Sequence, residues 1–179
     1  MSGKFKCDEP MREQKLATRF GTSRGPVRDA LMQLTQEGVL EYQPNKGVRV
    51  SSLLTDEERD VVVAMRLELE KYCIQKFIPI ASEEDFENIS VLLERLTNAC
   101  EEASLPEVAE SDLALHRYWV AQASSHLEST WLGLSVRMIM KYSRLENYDQ
   151  AIEEHTRIVE AVLDRDADKA IYYLGENIL

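Results

Sequence analysis

The chain has 179 residues, 44% of them hydrophobic and 30% charged, which is enough to bury one large core or two smaller ones and too apolar for a disordered chain. No apolar run approaches the ~18–20 residues of a membrane span, and no signal-peptide core is present. The three separated cysteines, Cys7, Cys73 and Cys100, form neither a CxxC pair nor a disulfide framework, so a cytoplasmic protein without a membrane partner is expected. The net charge of −11 argues against nucleic acid until it is divided. Residues 1–52 carry nine Lys/Arg against six Asp/Glu, whereas residues 53–179 carry twelve against twenty-six. A small basic module (1–53) is therefore expected before a larger acidic one (54–179).

In the basic module, "REQKLATRF" (12–20) has helical spacing at Leu16, Ala17 and Phe20, and Gly21 stops it. Ser23 suits the cap of a second helix, and Pro26 suits its first turn, where a missing N–H costs little. That helix runs to about Glu37, with Val27, Ala30, Leu31 and Leu34 inward, and Gly38 ends it. "VLEYQPNKGVRVSS" (39–52) reads as a hairpin of Leu40–Gln43 and Val48–Ser51 around a tip at Pro44–Gly47. Helix, turn, helix and hairpin make a winged helix-turn-helix. A recognition helix enters the major groove by its N-terminal end, and here that end carries Ser23, Arg24, Gly25 and, one turn on, Arg28. Arg24 is suited to guanine or phosphate, Ser23 and the first amides to phosphate oxygens, and Lys46 at the wing tip to backbone or minor groove.

The stretch "KLATRFGTSRGPVRDALMQLTQEGVLEYQPNKGVRV" (15–50) resembles the DNA-binding module of the GntR family of bacterial transcription regulators. The match rests on Ser23-Arg24-x-Pro26-Val27-Arg28, the Ala30-Leu31 pair, the following leucine, and the glycine and wing. It implies that Ser23, Arg24, Gly25, Arg28 and the wing glycine Gly47 lie at the DNA surface. Gln14 stands where relatives commonly carry a DNA-contacting arginine, and Gly25 where threonine is usual, so no base preference carries over. The family has another helix upstream, and the resemblance implies a winged helix lacking that first helix here.

The acidic module is helical throughout. Thr55 with Glu58 forms a capping-box pattern, and helices are predicted at about 56–78, 82–103, 106–124, 127–147, 150–164 and 167–178. The fold class is mainly α: a winged helix followed by an antiparallel bundle of about six helices. Four of these helices bring a polar side chain onto their apolar stripe. Asp112 and His116 sit one turn apart among Val108, Leu115 and Trp119; His155 sits among Ala151, Ile158 and Val162. Asn177 accompanies Leu174 and Ile178, and Arg66 accompanies Val62, Leu69 and Cys73. A lone inward histidine or asparagine is ordinarily a satisfied core residue, but a carboxylate stripped of water needs a cation or donors. Asp112, His116 and His155 together offer three ligands for a divalent transition metal such as zinc, nickel or manganese. His126 reads as a cap at its helix start.

Residues from about Glu58 onward resemble the effector-binding FCD domain of the FadR-type GntR regulators, through "RLELE" (66–70), "DLALHRYW" (112–119) and "EEHTRIVEAVLDRDADKA" (153–170). Many such domains hold a metal with one aspartate and three histidines. Asp112, His116 and His155 match three of these positions, and Asn177 stands at the fourth, twenty-two residues after His155. The resemblance therefore implies either three protein ligands completed by Asn177, solvent or effector, or a weakened site. It places Arg66 near an effector carboxylate, against the alternative of an i,i+4 salt bridge to Glu70. The expectation is a ligand-responsive regulator, a homodimer on double-stranded operator DNA, with a small organic acid or related metabolite as effector. The alternatives are a metal-dependent hydrolase built on Asp112, His116 and His155, and a regulator whose bundle only dimerises, with Asp112 and His155 as a private ion pair.

Overall fold

The computed structural model describes residues 6–139 and 147–178. The first module contains α1 (Glu13–Phe20), α2 (Arg24–Gln36), β1 (Leu40–Gln43) and β2 (Gly47–Val50). The strands pair antiparallel from Leu40 with Val50 to Gln43 with Gly47, which starts the second strand one residue earlier than expected. Ser23 occupies the N-cap of α2, but its side chain makes no capping hydrogen bond, so the expected cap is positional only. Ahead of α1, the amides of Asp8 and Met11 donate to the Val50 and Val48 carbonyls, and Arg49 holds Asp8 at 2.6 Å, laying residues 8–11 along the free edge of β2. The core of this module is small: Ala17, Val27, Leu31 and Leu40 are buried, with Met11, Leu16, Val48 and Val50 packed around them.

The second module comprises α3 (Asp56–Phe77), α4 (Glu83–Glu101), α5 (Leu105–Ala123), α6 (Ser125–Ile139), α7 (Tyr148–Leu163) and α8 (Ala167–Ile178). The helix expected at 127–147 starts two residues early, which puts the exposed His126 inside the first turn of α6 rather than at its cap; residues 140–146 lie outside the described residues. Both α3 and α4 begin with complete capping boxes, Thr55 with Glu58 and Ser82 with Asp85, which satisfy amides that have no intrahelical partner. At the other end of α3, the Arg165 guanidinium donates to the carbonyls of Ile78 (3.0 Å) and Ala81 (2.9 Å). The helix α3 lies against α5, α6 and α8, while α4 lies against α5 and α7. Trp119, Trp131, Phe77, Ile89, Leu115 and Ile158 are fully buried in one continuous core. Burial of each such side chain stabilises the bundle by about 1.5–3 kcal/mol before entropy is counted.

The two modules meet at α6. Gly38, which ends α2 in the left-handed region (φ +77°), sits against the Arg137 side chain. A methyl group on Gly133 would lie 3.1 Å from the Glu37 carbonyl oxygen. A helix-interior glycine costs about 1 kcal/mol relative to alanine, so Gly133 is retained against propensity where the corner of the winged helix rests on the bundle.

Gly133→Ala should therefore leave the bundle as thermally stable as the parent or more so, yet loosen the winged helix, measured as faster proteolysis of the 51–55 connection. Ser82→Ala should cost about 1 kcal/mol in urea unfolding, as loss of an N-cap does. Hydrogen bonds from Ser82 and Tyr118 hold the Asp85 carboxyl below the usual carboxylate range. Its contribution is present above the unfolded pKa and lost as pH falls through the folded one, so the difference between parent and Ser82→Ala should shrink on acidification.

Candidate metal centre and DNA-reading face

The 3.6-residue period of α5 stacks Asp112 and His116 on one inward face, and α7 brings His155 opposite them. One ligand atom from each lies within 4.8 Å of the others, a grouping within the usual reach of a single ion. His155 Nδ1 donates to the Ala151 carbonyl at 2.7 Å, and its Nε2 donates to Asp112 Oδ1 at 2.9 Å. Burial opposes charge on His155, but the hydrogen bond and negative charge of Asp112 outweigh it and raise the imidazole above its ordinary pKa. Burial likewise opposes charge on Asp112. The hydrogen bond from His155, with the positive fields of His116, His155 and Arg66, reverses this and holds the carboxyl well below its usual range. His116 is wholly buried; its Nε2 lies 3.9 Å from Asp112 Oδ1, too far for a hydrogen bond, and has no hydrogen-bond partner.

The other side of His116 holds a group that sequence reading treated only as a salt-bridge partner. Glu70 is 0% exposed, and its Oε2 lies 2.7 Å from His116 Nδ1. Its Oε1 accepts from Arg66 Nε at 2.7 Å and from Trp131 Nε1 at 2.6 Å. Burial alone would push this carboxyl up, but the charges of Arg66 and His116 and the three donors bring it down to about 2. The signal was present in the spacing: Arg66, Glu70, Cys73 and Phe77 share the buried face of α3. Nothing in α3 alone, however, says that His116 and Trp131 meet this carboxylate.

Arg66 is thus engaged with Glu70 and stacked 5.7 Å from the Trp131 ring, as the salt-bridge alternative anticipated. Asn177 is half-buried, and its Nδ2 donates to Glu154 Oε2 at 3.1 Å on α7. The structure brings Asp112, His116 and His155 together, with Arg66 joined to them through Glu70.

On the first module, Arg24 and Arg28 are exposed at the N-terminal end of α2, Gly25 is half-exposed beside them, and the Ser23 hydroxyl is not used as a cap. The Arg24 guanidinium is paired with Glu13 on α1 at 2.8 Å, with 65% of its side chain exposed. Such a surface pair is worth about 0–1 kcal/mol, a small barrier to exchange for a phosphate or base. Lys46 is exposed at the hairpin tip, next to Gly47 in the left-handed region (φ +78°).

A winged helix-turn-helix followed by an all-α bundle with a buried polar centre is the architecture of a two-module transcription regulator. The chain belongs to the GntR family: residues 1–50 match the model for bacterial regulatory proteins of the gntR family, and residues 61–177 match the FCD domain. It is 29% identical to the HTH-type transcriptional repressor GlaR of Escherichia coli, over 99% of this chain and 86% of that one. It is 23% identical to the gluconate operon transcriptional repressor of Bacillus subtilis, over 99% of this chain and 76% of the repressor. Escherichia coli McbR/YncC shares the fold with a TM-score of 0.83 at 20% identity, covering 98% of this chain and 86% of that chain. The chain is a transcription regulator and not an enzyme, which sets aside the hydrolase alternative. Among the described residues no helix is long and apolar enough to cross a membrane.

Arg66→Met should destabilise the protein by about 3–5 kcal/mol in urea unfolding, because it removes the principal counter-charge of a buried carboxylate. Combining it with Glu70→Gln, which removes both charges, should recover a large part of that loss.

Proposed function

We propose that this regulator binds operator DNA as a homodimer and senses a small organic acid or related metabolite over a divalent transition metal held by Asp112, His116 and His155. The observation that carries the reading is the orphaned Nε2 of His116, buried without a partner beside Asp112. A buried nitrogen left so costs about 1–3 kcal/mol, and an ion between His116, His155 and Asp112 would satisfy it. The donor set, two imidazoles and one carboxylate, suits zinc, nickel or manganese. Both histidines have an acceptor at Nδ1, Glu70 and the Ala151 carbonyl, as histidine ligands ordinarily do. A bound ion would supply an electrophilic anchor for an anionic effector, and Asn177, which donates to Glu154, would have to exchange that contact to fill a further ligand position.

Arg66 is the cation nearest in kind to what an effector carboxylate requires, by exchange of part of its contact with Glu70. Relatives named for the gluconate operon and for D-xylose utilisation fit an effector drawn from small metabolites. The effector would act by binding one arrangement of the two DNA-reading modules more tightly than the other. On DNA, Ser23, Arg24, Gly25 and Arg28 would meet the major groove, and Lys46 and Gly47 the backbone or minor groove.

The ion pair between Asp112 and His155 favours a second reading, a bundle that only dimerises. Metal titration separates the two. Both tryptophans of the chain stand at the centre: the Trp119 ring lies 4.9 Å from that of His116, and Trp131 donates to Glu70. Zinc or nickel should change their fluorescence with a stoichiometry of about one ion per chain, and His116→Ala should abolish the change. Protein purified without chelator that contains no metal and takes up none would leave the dimerisation-only reading. On DNA flanking its own gene, Arg24→Ala should weaken specific binding by ~1–3 kcal/mol, and Lys46→Ala should reduce the salt slope by about one.

A further inference from the structure

We infer that Glu70 is the positioning residue of this centre: as acceptor for the Nδ1 proton of His116, it decides whether Nε2 presents a lone pair or an N–H toward Asp112. The inference rests on the metal reading above for its use, but on geometry for its content. An ionised carboxylate only accepts, so the 2.7 Å contact from Oε2 to His116 requires the proton on Nδ1. The opposite tautomer would set a nitrogen lone pair against a carboxylate oxygen at that distance. It would also point an N–H at Asp112 from 3.9 Å, beyond hydrogen-bond reach. In the neutral ring, the form a metal ligand must take, Nδ1 carries the one proton and the Nε2 lone pair is turned toward Asp112 and His155.

Glu70 is itself held by two further donors. Arg66, one turn back on α3, and Trp131, on α6, both donate to its other oxygen. A salt bridge to Arg66 alone would answer for the carboxylate's charge. It would not call for Trp131 to fix the same oxygen at 2.6 Å, nor for the second oxygen to be left to His116 alone. Three helices thus converge on one side chain whose free oxygen serves His116.

The test uses Glu70→Gln in the full chain. Arg66 and Trp131 are donors and demand the amide oxygen, which turns the amide NH2 toward His116 and shifts the imidazole proton to Nε2. In metal-free protein, at a pH high enough to leave His116 neutral, 15N–1H correlation of the imidazole nitrogens should show it protonated at Nδ1 in the parent and at Nε2 in the variant. Zinc affinity, measured by competition with a chromophoric chelator, should fall by about 10–100-fold. Should Glu70→Gln fail to fold, as judged by circular dichroism, Trp131→Phe with Glu70→Gln and Arg66→Met with Glu70→Gln carry the same readouts. Retention of the Nδ1 proton with parental zinc affinity in the folded variants would overturn the inference. A parent that takes up no zinc would overturn the metal reading instead. The His116 tautomer, read without metal, would then still decide for Glu70 if it switches and against it if it does not.

Discussion

A carboxylate with no exposed surface sits where α3, α5 and α6 meet, and the centre of the bundle is arranged around keeping it charged. Glu70 loses all of its water, which for an isolated ion costs several kcal/mol. Its two oxygens are met by a guanidinium, an indole and an imidazole, each from a different direction. The satisfaction of this one group fixes the rotamers of Arg66, Trp131 and His116. His116 in turn stands between two carboxylates, bonded to Glu70 and within 3.9 Å of Asp112. The polar core is therefore a chain of dependencies running from α3 through α5 to α7, where His155 closes on Asp112 and the Ala151 carbonyl.

The helix α6 joins this interior to the DNA-reading module. Trp131 reaches Glu70 from one part of the helix, and half a turn further on Gly133 lies against the Glu37 carbonyl at the end of α2. One more turn brings Arg137 beside Gly38, where its positive charge also helps hold the Glu58 carboxyl at the start of α3 below its usual range, after the larger effect of the Thr55 hydrogen bonds. The recognition helix α2 thus rests on the same helix that fixes the indole of the buried network. Two glycines let the end of α2 and α6 approach at this contact, Gly38 against the Arg137 side chain and Gly133 against the Glu37 carbonyl, and the winged helix keeps its own small core apart from that of the bundle.

Much of this was legible in the sequence, and the reasons differ by element. The boundaries of α2, β1 and α8 follow from local chemistry: Pro26 within a first turn, Gly38 at a helix end, the Pro44–Gly47 tip, and the apolar period of the last helix. The inward placement of Asp112, His116 and His155 was also readable, because a polar residue inside an apolar stripe is conspicuous. Glu70 was less so, since an i,i+4 partner for Arg66 gave it a sufficient local explanation. The start of α6 was misplaced for a related reason: a single residue, Ser124, separates it from α5, and two serines beside a histidine resemble a longer connection.

The sequence by itself determined the two modules, their charge division, the helical character of the second and the inward faces of α3, α5, α7 and α8. These follow from periodicity, capping and turn residues, which act over one or two helical turns. On α2 the sequence places Val27 and Leu31 inward correctly, but Ala30 and Leu34, also expected inward, are exposed. Only the tertiary structure decided which inward polar groups meet. It set Asn177 on Glu154, Arg66 and Trp131 on one oxygen of Glu70, and His116 between Glu70 and Asp112. Those pairings span up to sixty-one residues of chain. They depend on how helices pack, which no local pattern encodes.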